Sequence, residues 1–200
     1  VDLSYVDQNT PVVVYDEDWQ NNRQRVEVNV LKKEKDTDRT LEGAVFGLYA
    51  KEDIKSETTG KVLIEADEII ELKSTDQDGK ITFAANLPVG VAYYIKELYA
   101  PDGFVTNDEV EEFTFDYAGE DQPTVTYDFT FENQPTVVEF TKSSLTTGKE
   151  LPGCKLKVVD AEGNVVDEWT SGKEAHVIRE LTVGKEYTLI ETKPADGYVT

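Results

Sequence analysis

Residues 26–32 read Val26-Glu27-Val28-Asn29-Val30-Leu31-Lys32. In an extended strand, side chains two positions apart share a face. Val26, Val28, Val30 and Lys32 therefore point one way, and Glu27, Asn29 and Leu31 the other. Three valines mark the side that meets a core, and Lys32 stands where the next core residue belongs. An unpaired ammonium among apolar groups is costly. Either Lys32 escapes at the strand end, or the core holds something that needs an amine.

The same parity applies to other strand-like segments. In 91–98, Val91, Tyr93, Ile95 and Glu97 share a face. In 125–133, Val125, Tyr127, Phe129, Phe131 and Asn133 do so. Each apolar stripe ends in one polar residue. Further along, Val138, Phe140 and Lys142 are in phase, as are Tyr187, Leu189 and Glu191, and near the start Val13, Tyr15, Trp19 and Asn21. A single polar residue ending an apolar stripe is commonly a side chain reaching for water. Lys, Glu and Asn recurring at equivalent places are harder to explain that way.

The recurrence reflects internal repeats. Tyr5, Pro11, Tyr15, Asp16 and Asn21 reappear 112 residues later as Tyr117, Pro123, Tyr127, Asp128 and Asn133. Lys32, Leu41 and Gly43 reappear after 110 residues as Lys142, Leu151 and Gly153. Leu87, Gly90, Tyr93, Glu97 and Gly103 reappear after 94 as Leu181, Gly184, Tyr187, Glu191 and Gly197. Residues 1–24 thus read as the terminal strands of a preceding repeat, 25–136 as a complete repeat, and 137–200 as a repeat lacking its last strands. The shrinking offsets place an insertion at roughly 51–75 in the complete repeat.

Short Val-, Tyr-, Phe- and Thr-rich segments separated by Gly, Asp and Pro predict an all-β fold. Asp76-Gln77-Asp78-Gly79 and Ala161-Glu162-Gly163-Asn164 are expected to be hairpin turns. Leu63–Lys73 is the one helical candidate, with a moderate apolar period. A repeat of this length suits a β-sandwich with its own core.

Lys+Arg number 20 and Asp+Glu 41, a formal net charge of −21. That balance argues against nucleic acid or an anionic membrane as partner. The single cysteine excludes an intrachain disulfide. No signal peptide or membrane-length apolar run is visible. The lack of methionine suggests a processed or excised segment.

An amine, a carboxyl and a carboxamide in one apolar pocket suit a particular chemistry. Burial favours the neutral forms of lysine and of a carboxylic acid. A neutral Lys amine is a nucleophile. A protonated Glu can polarise the Asn carbonyl and shuttle protons, and proximity makes the attack effectively unimolecular. Displacement of ammonia would leave a covalent amide. The alternative is a buried hydrogen-bonded Lys–Glu–Asn cluster with no bond, and parity leaves both open.

Three motifs in order, partly repeated, carry a family resemblance. LEGAVFGLY (41–49) lies nine residues after Lys32, ELYAPDGF (97–104) follows a Tyr-rich strand, and ENQP (132–135) closes the repeat. The second copy is KSSLTTGKELPGCKLKV (142–158) with ETKPADGY (191–198). The chain resembles the Cna B-type, or SpaA-type, domains of Gram-positive surface adhesins and pilins. The resemblance implies tandem prealbumin-like, inverse immunoglobulin-type sandwiches with self-formed Lys–Asn isopeptide bonds. It assigns Lys32 and Asn133 to the cross-link and Glu97 as catalytic. Lys142 and Glu191 match in the last repeat, and Asn21 matches the asparagine of the first. Lys33-Glu34 departs from the family's usual small apolar–acidic pair.

No cofactor or metal is expected. Asp36, Asp38 and Glu42 only hint at calcium-loop spacing, since Leu41 stands where glycine is needed. His176 is the sole histidine, which leaves a His-based triad or zinc site without support. Cys154 aligns with Ala44 and reads as buried filler. The expected role is structural: a stalk or pilus-type module outside a bacterial cell, on the wall or a pilus. Its partners would be neighbouring repeats and head-to-tail copies of itself. Such a head-to-tail copy would set Asn21 of one chain against Lys142 of the next. The rival reading is an extracellular module binding collagen or a glycan, with Trp169 and the tyrosines as its surface.

Overall fold

The structure, a computed structural model, describes residues 23–199. The expectations for Val13, Tyr15, Trp19 and Asn21 lie outside the described residues. Nine strands build the first domain: β1 (Arg25–Glu34), β2 (Val45–Ala50), β3 (Ile54–Lys55), β4 (Val62–Ile64), β5 (Ile69–Ser74), β6 (Lys80–Phe83), β7 (Val91–Tyr99), β8 (Val110–Phe115) and β9 (Thr124–Asn133). A three-stranded sheet, β6-β1-β9, faces a four-stranded one, β5-β2-β7-β8. β3 and β4 form a separate hairpin. Val26, Val28 and Val30 of β1 are buried as parity requires, while Glu27 and Asn29 look outward or half outward. They pack with Phe83, Phe131, Phe46, Leu48, Tyr93, Ile95 and Phe115 in one core. Burying each such side chain stabilises the fold by about 1.5–3 kcal/mol.

The first and last strands lie side by side. β1 pairs with β9 in parallel, from Arg25 opposite Thr124 to Glu34 opposite Asn133. Lys32 lies opposite Phe131, so the inward residue one step further along β9 is Asn133. This pairing closes the sandwich between the two ends of the repeat.

The segment 63–73 is not a helix. It forms β4, a turn, and β5, with Asp67 in the left-handed region (φ 63°) at the turn. The insertion is also shorter than its expected span. β5 pairs with β2 just as β12 pairs with β11 in the second domain, where β11 is Lys155–Asp160 and β12 is Val165–Thr170. A shared clamp confirms the equivalence. Thr75 Oγ1 accepts from Ala44 N and donates to Leu41 O, as Ser171 Oγ accepts from Cys154 N and donates to Leu151 O. Only the β3–β4 hairpin is additional. The turn at 76–79 carries the chain from one sheet to the other, because β5 and β6 belong to different sheets. The turn at 161–164 is a true hairpin joining β11 to β12.

The second domain adds β10 (Val137–Phe140), β13 (His176–Arg179) and β14 (Tyr187–Lys193). β10 pairs with β13, and β11 lies between β12 and β14. Its buried residues fall into two small clusters, one around Cys154 and Leu156 and the other around Val158 and Ile178.

Gln134-Pro135-Thr136 joins the domains through a short interlock. Thr136 N donates to Gly103 O (2.8 Å), Glu180 N donates to Thr136 O (2.9 Å), and Thr136 Oγ1 donates to Leu181 O (2.6 Å). A Cβ on Gly103 would lie 2.7 Å from Glu180 O, so this approach demands glycine. Arg39 of the first domain grips Glu180 with both terminal guanidinium nitrogens, Nη1 and Nη2, at 2.5 and 3.1 Å. That grip holds the Glu180 carboxyl below its usual value. The pair's contribution is therefore complete above the ordinary carboxylate pKa and is lost as pH falls through the lowered one. Both side chains are more than a third exposed, so Arg39→Ala should cost under about 1 kcal/mol of stability. It should nevertheless loosen the joint. Small-angle scattering should show a broader range of interdomain angles for Arg39→Ala at neutral pH, and for the wild type once acidified.

A candidate cross-linking site

Lys32 sits two residues inside the end of β1, and the backbone behind it is tightly backed. Its N–H donates to Gly79 O (2.8 Å), and its carbonyl accepts from Leu41 N (3.0 Å). A Cβ on Gly79 would meet Lys32 O at 2.6 Å, and Gly79 has φ 70°. The turn at 76–79 thus presses a glycine against the strand and leaves Lys32 no backbone freedom to swing outward. Its side chain is fully buried. The aromatic rings of Phe46 and Phe131 flank the amine, with centroids 5.5 and 5.9 Å from Nζ.

The structure brings Lys32, Glu97 and Asn133 together, and all three are buried. Lys32 Nζ donates to Asn133 Oδ1 at 2.5 Å. It also lies 3.1 Å from Glu97 Oε1. Asn133 Nδ2 donates to the same Oε1 at 2.9 Å. The second carboxylate oxygen, Oε2, accepts the backbone N–H of Asn107 at 2.7 Å. Burial lowers the Lys32 pKa, against the opposing pull of Glu97. One carboxylate oxygen therefore bridges the amine and the carboxamide nitrogen. A proton leaving Nζ has a neighbouring acceptor, and that acceptor already touches the nitrogen that would depart.

Lys142 and Glu191 are also neighbours, with Nζ 3.2 Å from Oε2. Leu151 N donates to Lys142 O (2.6 Å), matching Leu41 on Lys32. Their side chains are 33% and 23% exposed, against none for Lys32 and Glu97. The second pair is thus open to water where the first is sealed. Asn21 lies outside the described residues.

Sequence reasoning missed Phe46 as a wall of the pocket, Gly79 as its backing, and Asn107 as a contact of Glu97. Phe46 falls within the motif LEGAVFGLY, and the phase shared by Phe46 and Leu48 could have revealed it. Nothing in the local pattern around Asn107 marks it out. Trp169 is used in packing: it stacks on His176 with centroids 4.2 Å apart, and Phe140 lies 5.5 Å away. Cys154 is buried.

Residues 26–132 and 136–200 each match the family model described as SpaA, a prealbumin-like fold domain. Among solved structures, the Bacillus anthracis TIE protein aligns with TM-score 0.50 and 20% identity, over 86% of this chain and 32% of its own. A Streptococcal ancillary pilin aligns with TM-score 0.40 and 22% identity, over 90% and 57%. The shaft pilin spaA of Lactobacillus rhamnosus GG aligns with TM-score 0.38 and 18% identity, over 88% and 90%. The chain spans about a third of the Bacillus protein and just over half of the Streptococcal pilin. A comparison with curated proteins finds no match. With both segments matched and a three-on-four-stranded sandwich in the first, the chain belongs to the SpaA family of prealbumin-like fold domains, in two tandem copies.

Proposed function

We propose that this chain is a load-bearing segment of a stalk or pilus on a Gram-positive cell surface, and that its first domain locks itself with an amide between Lys32 and Asn133. The observation that carries this reading is the buried triad, in which Glu97 Oε1 lies within 3.1 Å of Lys32 Nζ and 2.9 Å of Asn133 Nδ2. A fully buried amine beside a carboxamide is expensive for a cluster that serves only to fold.

Atoms and protons balance through the sequence. Lys32 passes a proton from Nζ to Glu97 Oε1. The neutral amine attacks Asn133 Cγ. Glu97 returns its proton to Nδ2 and takes the surplus one from Nζ. The Cγ–Nδ2 bond breaks, ammonia leaves, and the Nζ–Cγ amide remains. Glu97 ends protonated and yields that proton to water or to the departing ammonia. The chemistry runs once per chain and has no external substrate, so the domain is not an enzyme in the turnover sense.

The topology supports a mechanical role. Tension entering at Arg25 and leaving at Asn133 would pull on parallel neighbours. An amide from Lys32 to Asn133 would carry that load directly and relieve the segment between. It would act as a disulfide does elsewhere, without an oxidising compartment. We assign Lys142 and Glu191 the same roles in the second domain, and Asn21 the carboxamide of a repeat ending at residues 1–24. The complete repeat would then span 25–136, with 137–200 a copy short of its final strands. Neighbouring repeats, in this chain or in head-to-tail copies, are the proposed partners. Protease digestion followed by fragment mass analysis tests the bond: the expected product is a branched peptide joining the Lys32 and Asn133 fragments. Recovery of only the two linear peptides would refute it.

A further inference from the structure

The loop between β7 and β8 carries a residue that the triad alone does not explain. Asn107 N donates to Glu97 Oε2 at 2.7 Å. Three side-chain bonds hold that N–H in place. Asn107 Nδ2 donates to Glu132 O (3.1 Å), the backbone carbonyl next to Asn133, and to Glu109 Oε2 (3.0 Å). Asn107 Oδ1 accepts from Glu109 N (2.9 Å), closing a local turn. The loop is thereby tied to β9 at the residue that precedes the reacting carboxamide.

We propose that Asn107 is a positioning residue for amide formation, fixing which oxygen of Glu97 moves the proton. This rests on the Lys32–Asn133 bond proposed above. A backbone N–H cannot accept a proton, so the oxygen it faces is kept as an acceptor. Protonation of Oε2 would set O–H against N–H and sacrifice that hydrogen bond. The mobile proton is confined to Oε1, the oxygen shared by Lys32 Nζ and Asn133 Nδ2. The same N–H stops the carboxyl from rotating. Proton pick-up and delivery then occur on one atom, without reorganisation between the steps.

The loop borders a pocket of about 340 Å³ lined by Lys35, Val105, Thr106, Glu109, Glu132 and Gln134 besides Asn107. Asn107 thus stands between that solvent-facing pocket and Glu97. Its side-chain ties keep the loop closed over the carboxyl while the bond forms.

The test follows the mass of never-folded chain, isolated in denaturant and diluted into native buffer. Asn107→Pro removes the N–H and should slow ammonia loss about 10- to 100-fold, the range for losing a hydrogen bond to a charged group. Asn107→Ala keeps the N–H but loses its anchors and should slow the reaction by about 3- to 10-fold. Asn107→Ser retains an oxygen for Glu109 N and should recover part of that loss. Each substitution is also made in a Lys32→Ala background, where folding is read by near-ultraviolet circular dichroism with no bond possible. Slowed linking by Ala, partial rescue by Ser, and native spectra in that background support the proposal. Linking at the wild-type rate in folded Asn107→Ala and Asn107→Pro overturns it while leaving the bond itself standing. A wild-type chain that never loses ammonia overturns both.

Discussion

The Glu97→Ala variant is expected to keep the full mass of its sequence and to destabilise the first domain severely. Two losses combine. The first is the cross-link. Lys32 and Asn133 are 101 residues apart, and closing a loop of that size restricts the unfolded chain by about 4–5 kcal/mol on the disulfide analogy. The second is the partner of a buried amine. Lys32 would be left between Phe46 and Phe131 with a carboxamide but no carboxylate, and removing one member of a buried pair costs about 3–5 kcal/mol. A triple variant, Lys32→Met with Glu97→Leu and Asn133→Leu, separates the two. It loses the cross-link but leaves neither an orphaned amine nor an orphaned carboxylate, so its deficit should be the smaller by roughly the second amount. Denaturant unfolding of the two variants and the wild type measures the difference. Equal deficits would show that the amine, once orphaned, costs nothing.

The second large effect separates the two domains of one chain. Heating should give two transitions, with the second domain unfolding on the order of 20 °C or more below the first. The first domain has a continuous core and a proposed bond that joins its first strand to its last. The second has two small clusters, and its Lys142–Glu191 pair is partly exposed. Limited proteolysis should clip residues 137–200 well before 25–136. Calorimetry of Glu97→Ala should bring the two transitions much closer together. Coincident transitions in the wild type would mean that the domains are equally protected, and the bond would then have no stabilising role.

The site was largely legible because strand parity is rigid. Val26, Val28, Val30 and Lys32 must share a face once the segment is extended, and the same holds for Tyr93, Ile95 and Glu97 and for Phe129, Phe131 and Asn133. Repetition of Lys and Glu at matching offsets told which polar residues belonged together. What was not legible depended on contacts between distant segments. In 63–73, apolar residues fall on both faces: Ile70 packs against the core while Ile69 and Leu72 are exposed. That pattern hides a period of two and imitates a helix. The extent of the insertion was misjudged because Ile69–Ser74 and Val165–Thr170 share no sequence motif. They share a position beside β2 and β11 and the hydroxyl clamps of Thr75 and Ser171. Asn107 escaped notice because its N–H, a group every residue but proline carries, makes the decisive contact.

Formation of one amide from Lys32 and Asn133 would expel one molecule of ammonia. Intact mass spectrometry of the wild-type chain in denaturant measures this most directly. The expected wild-type species is a monomer one ammonia lighter than its sequence, with the full mass restored in Glu97→Ala. A wild-type chain at the full sequence mass would contradict amide formation.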